Sequence, residues 1–193
     1  MAWLDRTRLR ALISRWFEVP MVRILVALHF TPNRVTILGL LITFCAGVLI
    51  AFEYPLAGGV TVLAAGIFDL LDGALARETG RSTRFGAFLD SLTDRIGETC
   101  VLGGILVLAL SREDLGMAFL AYAACACCFL VSYARARAEG LEAPGAVGLM
   151  TRPERVVLLS MGLITGFISP VLALVTALSL ITVFQRMRHM WNA

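Results

Sequence analysis

Asp69-Leu70-Leu71-Asp72-Gly73-Ala74-Leu75-Ala76-Arg77 and Gly86-Ala87-Phe88-Leu89-Asp90-Ser91-Leu92-Thr93-Asp94 decide how this chain is read. Both are apolar runs broken by acids at helical spacing. Asp69 and Asp72 are three residues apart and Asp90 and Asp94 are four apart, so each pair shares one face of a helix. The surroundings make these acids unusual. Of 193 residues, 59% are hydrophobic and 16% charged, against about 45–50% and 25% in soluble domains. That balance leaves too little polar surface for a soluble domain. It also excludes a disordered chain and a nucleic-acid-binding protein.

Outward from the acids, the apolar runs are long enough to cross a bilayer core, which takes about 20 residues. Spans are predicted at about 32–52, 56–76, 84–110, 115–137, 152–168 and 170–187. The first opens at Thr31-Pro32-Asn33, with Thr31 as N-cap and Pro32 at the first helical position. The last two meet at Ser169-Pro170, which allows a tight hairpin. Residues 3–19 read as an amphipathic helix. Leu9, Leu12, Ile13, Trp16 and Phe17 line one face, Arg6, Arg10, Ser14 and Arg15 fall elsewhere, and Pro20 interrupts it. Such a helix lies in the membrane interface. The same arginines leave no uninterrupted apolar core, so the segment does not read as a signal peptide. The expected fold is a single all-α integral membrane domain over 1–193: six transmembrane helices preceded by an N-terminal interfacial helix. Gly39, Gly47, Gly58, Gly59, Gly66, Gly103 and Gly104 permit close helix contact.

All seventeen basic residues are arginine. With six spans, both termini lie on one side, and every arginine except Arg112 falls on or toward it. The positive-inside rule makes that side cytoplasmic and places the protein in the cell membrane. Five cysteines lie in apolar runs without metal-ligand spacing and read as packing residues.

A charge at the bilayer centre costs about 2.5–3.5 kcal/mol even on lenient scales. The two acidic helices are joined by a short loop, so they are expected to be antiparallel neighbours whose four carboxylates converge. Hard oxygen ligands suit Mg²⁺, Mn²⁺ or Ca²⁺. Four of them suit two ions, an arrangement that serves displacement at phosphorus. The alternative is interhelical salt bridging by Arg77 or Arg95.

The pattern DxxDGxxAR, eight residues, GxxxDxxxD is met at every fixed position from Asp69 to Asp94. It resembles the signature of the CDP-alcohol phosphatidyltransferases. The resemblance implies a transferase acting on a CDP-linked lipid (CDP-diacylglycerol or CDP-archaeol) and releasing CMP. It implies that Asp69, Asp72, Asp90 and Asp94 hold two Mg²⁺ (or Mn²⁺), with Asp94 also the general base on the acceptor hydroxyl. By the same similarity, Gly73 and Arg77 hold the nucleotide and pyrophosphate with Asp69 and Asp72, and Thr83 and Pro32, Asn33, Arg34 and Val35 line that pocket. It further implies a homodimer. Glu98, one turn past Asp94, lies outside the signature. It has two readings: pairing with Arg95 or another span, or a part in the site.

Arg135, Arg137, Arg152, Arg155 and Arg186 lie at the cytoplasmic ends of the last three spans. Together they suit an acceptor carrying its own phosphate. Their surroundings resemble the phosphatidylinositol-phosphate synthase branch, which uses inositol 1-phosphate. Glycerol 3-phosphate, giving phosphatidylglycerol phosphate, is the alternative acceptor. A small cation transporter would explain intramembrane acids, but not Gly73, Ala76, Arg77 and Gly86 at fixed offsets.

Overall fold

The computed structural model describes residues 18–142 and 147–191. These residues form seven helices: α1 (Val19–Ala27), α2 (Pro32–Ala51), α3 (Pro55–Glu78), α4 (Arg84–Ser111), α5 (Leu115–Glu139), α6 (Arg152–Thr165) and α7 (Ile168–Trp191). Proline in the first turn opens α1, α2, α3 and α6, where its missing N–H costs nothing. Two other starts are capped by side chains. Thr83 Oγ1 accepts from the Gly86 N–H at 3.0 Å, and Asp114 Oδ1 from the Met117 N–H at 2.8 Å. Thr31 sits at the expected N-cap of α2, but its carbonyl, not its hydroxyl, takes the Arg34 and Val35 N–H groups.

Helix packing closes a ring. α2 packs on α3 and α4, α4 on α5, α5 on α7, α7 on α6, and α6 on α3, while α1 lies against α3. The main core joins Ile50, Ile105, Leu108, Leu163, Leu172 and Val175. A smaller patch of Val22, Val35, Leu71, Ala74 and Leu75 seats α1. Close approach of α2 and α4 depends on glycine. A Cβ on Gly47 would lie 2.6 Å from the Cys100 carbonyl oxygen, and one on Gly104 would overlap the Gly47 carbonyl. A Cβ on Gly103 would meet nothing within 4 Å.

Four helices, α2, α3, α5 and α7, are long and apolar enough to cross a membrane. α4 is longer, at 28 residues, but carries charges along its first half. α6 has 14 residues, about 21 Å of helix at the standard rise. The expected helix at 3–19 falls almost wholly outside the described residues. Pro20, read as a break, instead stands in the first turn of α1.

Two expectations need correction. The last two helices part at Gly166, whose φ of +80° forms a left-handed cap. Ser169 and Pro170 lie within the first turn of α7, where proline is tolerated. The acid-bearing helices α3 and α4 are not a close-packed pair. Each packs on α2, and their carboxylates meet across the gap between them. Direct packing there would force like charges together.

Gly104→Ala is expected to wedge α2 from α4 and destabilise the protein by about 1–3 kcal/mol. Gly103→Ala, one residue away, should be close to neutral. Thermal unfolding of the two variants in the same detergent checks this.

Candidate active site

α3 and α4 bring one carboxylate oxygen each from Asp69, Asp90 and Asp94 within 4.8 Å of one another. Asp72 does not join that trio. It lies one turn further along α3, only 6% exposed, and accepts a 2.6 Å hydrogen bond from Thr36 Oγ1. Thr36 also lies 3.1 Å from the Pro32 carbonyl. It stands one turn into α2 beyond the predicted Pro32–Val35 segment, yet nothing in the sequence marked it. A void of about 20 Å³ lies among Thr36, Thr43, Thr93, Asp69, Asp72 and Asp94, so all four carboxylates but Asp90 face one small polar space.

The trio's donors are all carboxylate, with no sulfur or imidazole among them. That set fits a hard divalent cation such as Mg²⁺ or Mn²⁺. Among the described residues, the cation nearest the trio is neither of the two expected. Arg152 Nη1, from the start of α6, lies 2.5 Å from Asp69 Oδ2 and 2.8 Å from Asp94 Oδ1. Arg95 stands off at 3.8 Å from Asp94 and donates instead to the Ser91 carbonyl. Arg77 lies 3.8 Å from Glu18.

Two cavities flank the carboxylates. The first, about 210 Å³, includes Pro32, Asn33, Asp72, Gly73, Arg77 and Thr83 in its wall. Those six were all expected in a nucleotide pocket. Arg34 and Val35 were also expected there, and the structure places them elsewhere. Arg34 is exposed away from the cavity, and Val35 is fully buried in the α1 patch. Helical geometry turns residues 33 and 36 inward and points 34 and 35 away. Asp69 lies outside this wall, while Ser82, Arg81 and Gly86 are additions to it. Gly86 sits close in this wall: a Cβ there would press on Thr83 Oγ1 at 3.1 Å and Asn33 Oδ1 at 3.3 Å, so either side chain would have to shift. A Cβ on Gly73 would make only an ordinary 3.4 Å contact with Arg77. Glycine at 73 therefore keeps the wall open rather than relieving a clash.

The second cavity, about 490 Å³, includes Asp94, Glu98, Arg135, Arg152, Arg155 and Arg186 in its wall. Of the five arginines expected there, Arg137 is missing; it is exposed on the outer face of α5. The other four differ in their partners. Arg135 pairs with Glu139 at 2.8 Å in the open. Arg155 is 2% exposed and forked onto Glu98, with Nε to Oε1 at 2.6 Å and Nη2 to Oε2 at 2.9 Å. Glu98 therefore pairs across to another helix. Arg186 donates to the Val147 carbonyl at 2.7 Å and to the Val131 carbonyl, and has no carboxylate partner among the described residues. Asp90 lines both cavities, so the two spaces meet at the carboxylate trio.

Residues 29–186 match the family described as CDP-alcohol phosphatidyltransferase. The chain is 37% identical over 164 residues to an archaetidylinositol phosphate synthase of Pyrococcus horikoshii, covering 84% of each chain. It is 34% identical over 196 residues to a phosphatidylinositol phosphate synthase of Mycobacterium tuberculosis, covering 95% of this chain and 89% of the other. Its fold superposes on the crystal structure of the M. tuberculosis phosphatidylinositol phosphate synthase with CDP-DAG bound at a TM-score of 0.85, with 32% identity over 91% of this chain and 94% of that one. The same enzyme in complex with manganese and citrate gives a TM-score of 0.84, with 32% identity over 91% and 89%.

Arg155→Met should leave Glu98 buried and unpaired, at a cost of about 3–5 kcal/mol. Glu98→Leu should cost a similar amount, and the double variant should recover much of the loss. A double-mutant cycle on unfolding temperature reads the coupling directly.

Proposed function

The chain belongs to the CDP-alcohol phosphatidyltransferase family, and on that premise we propose that it transfers the phosphatidyl group of a CDP-lipid to a hydroxyl of inositol 1-phosphate, releasing CMP. The observation that carries the reading is the meeting of two unlike cavities at Asp90. One is walled by the family signature, and the other by arginines. A transferase of this kind needs a nucleotide-lipid on one side of its reacting centre and a phosphate-bearing acceptor on the other.

In this reading six helices, α2 to α7, cross the cell membrane. The reacting centre lies near the cytoplasmic face, where the arginines cluster. The short α6 is accommodated by arginines that reach for the interface. Asn33, Gly73, Arg77 and Thr83 hold the cytidine and pyrophosphate, with arginine's planar fork suited to phosphate oxygens. Asp69, Asp72, Asp90 and Asp94 would hold two divalent cations, Mg²⁺ or Mn²⁺. When bound, these would supply charge neutralisation at the pyrophosphate and the leaving group. Thr36 fixes the Asp72 carboxylate. In the second cavity Arg186 anchors the acceptor's phosphate, because its charge has no carboxylate partner among the described residues. Arg135 and Arg152 add further donors, and Glu98 holds Arg155 in place at the cavity floor. Asp94 stands at the junction of the cavity and the trio. There it takes the proton from the acceptor hydroxyl. The freed oxygen forms its bond to the lipid-side phosphorus, the bond to the CMP oxygen breaks, and CMP departs with that electron pair.

Asp90→Asn should reduce CMP release from a CDP-lipid by several orders of magnitude without loss of folded protein. Wild-type turnover in that variant would remove the carboxylate centre from the account. Arg186→Gln should raise the acceptor KM at least tenfold and leave the CDP-lipid KM nearly unchanged. Arg137→Gln should change neither. Equal effects of the two substitutions would show that the second cavity does not hold the acceptor.

A further inference from the structure

Arg152 belongs to two sites at once. It borders the small void beneath the aspartates and the large arginine-rich cavity. One nitrogen, Nη1, carries both of its ion pairs, to Asp69 and to Asp94. Its Nε is buried with no hydrogen-bond partner among the described residues. A guanidinium has five N–H donors in a fixed fork, and here the ion pairs engage a single corner of it. An orphaned buried N–H is costly, so this position does not satisfy the group. A phosphate in the neighbouring cavity could take two of the unused donors in parallel.

The charge balance points the same way. Five arginines and four carboxylates line the large cavity, a formal balance of +1. Two of those carboxylates, Asp90 and Asp94, belong to the trio. A divalent cation shared by them cancels their charge and leaves the cavity at +3 from its arginines, Glu98 and Glu139. The same cation removes the attraction that draws Arg152 to Asp69 and Asp94. Metal and guanidinium therefore compete for the same oxygens.

We propose that Arg152 is a positioning residue that couples the two sites. A divalent cation displaces its guanidinium from Asp69 and Asp94, and the released fork turns into the large cavity and binds the acceptor's phosphate. The inference rests on the metal and acceptor assignments of the proposed function and adds their interdependence. Metal tightens the binding of a phosphate-bearing acceptor, and by thermodynamic reciprocity the anion tightens metal binding by the same factor. The consequence is an order of loading. The acceptor is held strongly only once the cations that serve the CDP-lipid are in place.

The test is a linkage measurement on the full-length protein in detergent, with Mn²⁺ and inorganic sulfate as probes. Sulfate is a dianion that ligates metal weakly and cannot react. Free Mn²⁺ is read by electron paramagnetic resonance and sulfate by equilibrium dialysis with radiolabel. In the wild type, saturating Mn²⁺ should tighten sulfate binding by about tenfold, within the usual range of couplings, and sulfate should tighten Mn²⁺ equally. In Arg152→Gln, Mn²⁺ alone should bind several-fold more tightly than to the wild type, because its internal competitor is gone. The coupling factor should fall close to one. Arg152→Lys keeps the charge but not the fork. It should retain a factor between the two and serves as the comparison if the glutamine variant does not fold. A wild-type factor of one, or an undiminished factor in Arg152→Gln, would overturn the coupling while leaving the two sites standing. Absence of saturable Mn²⁺ binding to the wild type would overturn the metal assignment, and the coupling with it.

Discussion

Three carboxylate oxygens gathered within 4.8 Å of one another in a mostly apolar bundle repel each other, and that repulsion organises much of what surrounds them. α3 and α4 carry the acids but do not pack together; each leans on α2 instead. The close α2–α4 crossing at Gly47 and Gly104 fixes one helix against the common support. Asp72, one turn further along α3, takes a hydrogen bond from Thr36. Arg152 crosses from α6 to supply a compensating charge. The gap left between α3 and α4 is also what opens the site on both sides.

The two flanking cavities differ in character. One is built from a helix start, two glycines and two arginines, Arg77 and Arg81, which suits close backbone approach to a nucleotide. The other holds most of its arginines in pairs. The buried Arg155–Glu98 fork makes a rigid floor rather than a free cation. Among the described residues Arg186 is held only by backbone carbonyls, which orient its guanidinium without cancelling its charge. A pocket that neutralises some of its arginines and spares others can select among anions rather than bind every one of them.

Much of this was legible in the sequence because its signals are local. Hydropathy gave the long helices, Thr31-Pro32 marked the start of α2, and residues three or four apart on α3 and α4 share a face whatever the rest of the chain does. The misses have physical reasons. Spacing along α3 could not show that Asp72 would take a hydrogen bond from Thr36 of α2. The Pro32–Val35 segment was read as a block, whereas helical rotation sends Arg34 and Val35 to other surfaces. Clustering at helix ends made five arginines look equivalent, and only tertiary contacts separate the exposed Arg137 from the buried Arg155 and from Arg186. Ser169-Pro170 looked like the turn because proline breaks helices, but proline in a first turn does not, and Gly166 makes the turn.

The central claim is that a CDP-lipid and a phosphorylated acceptor meet at one carboxylate centre. It is tested most directly by measuring CMP release from purified protein supplied with Mg²⁺ and CDP-diacylglycerol or CDP-archaeol. Inositol 1-phosphate, glycerol 3-phosphate, inositol and serine would be offered in turn. The account predicts release with inositol 1-phosphate and none with the two unphosphorylated acceptors. Equal release with inositol and with inositol 1-phosphate would contradict the role given to the arginine cavity, and no release with any acceptor on either lipid would contradict the reaction itself.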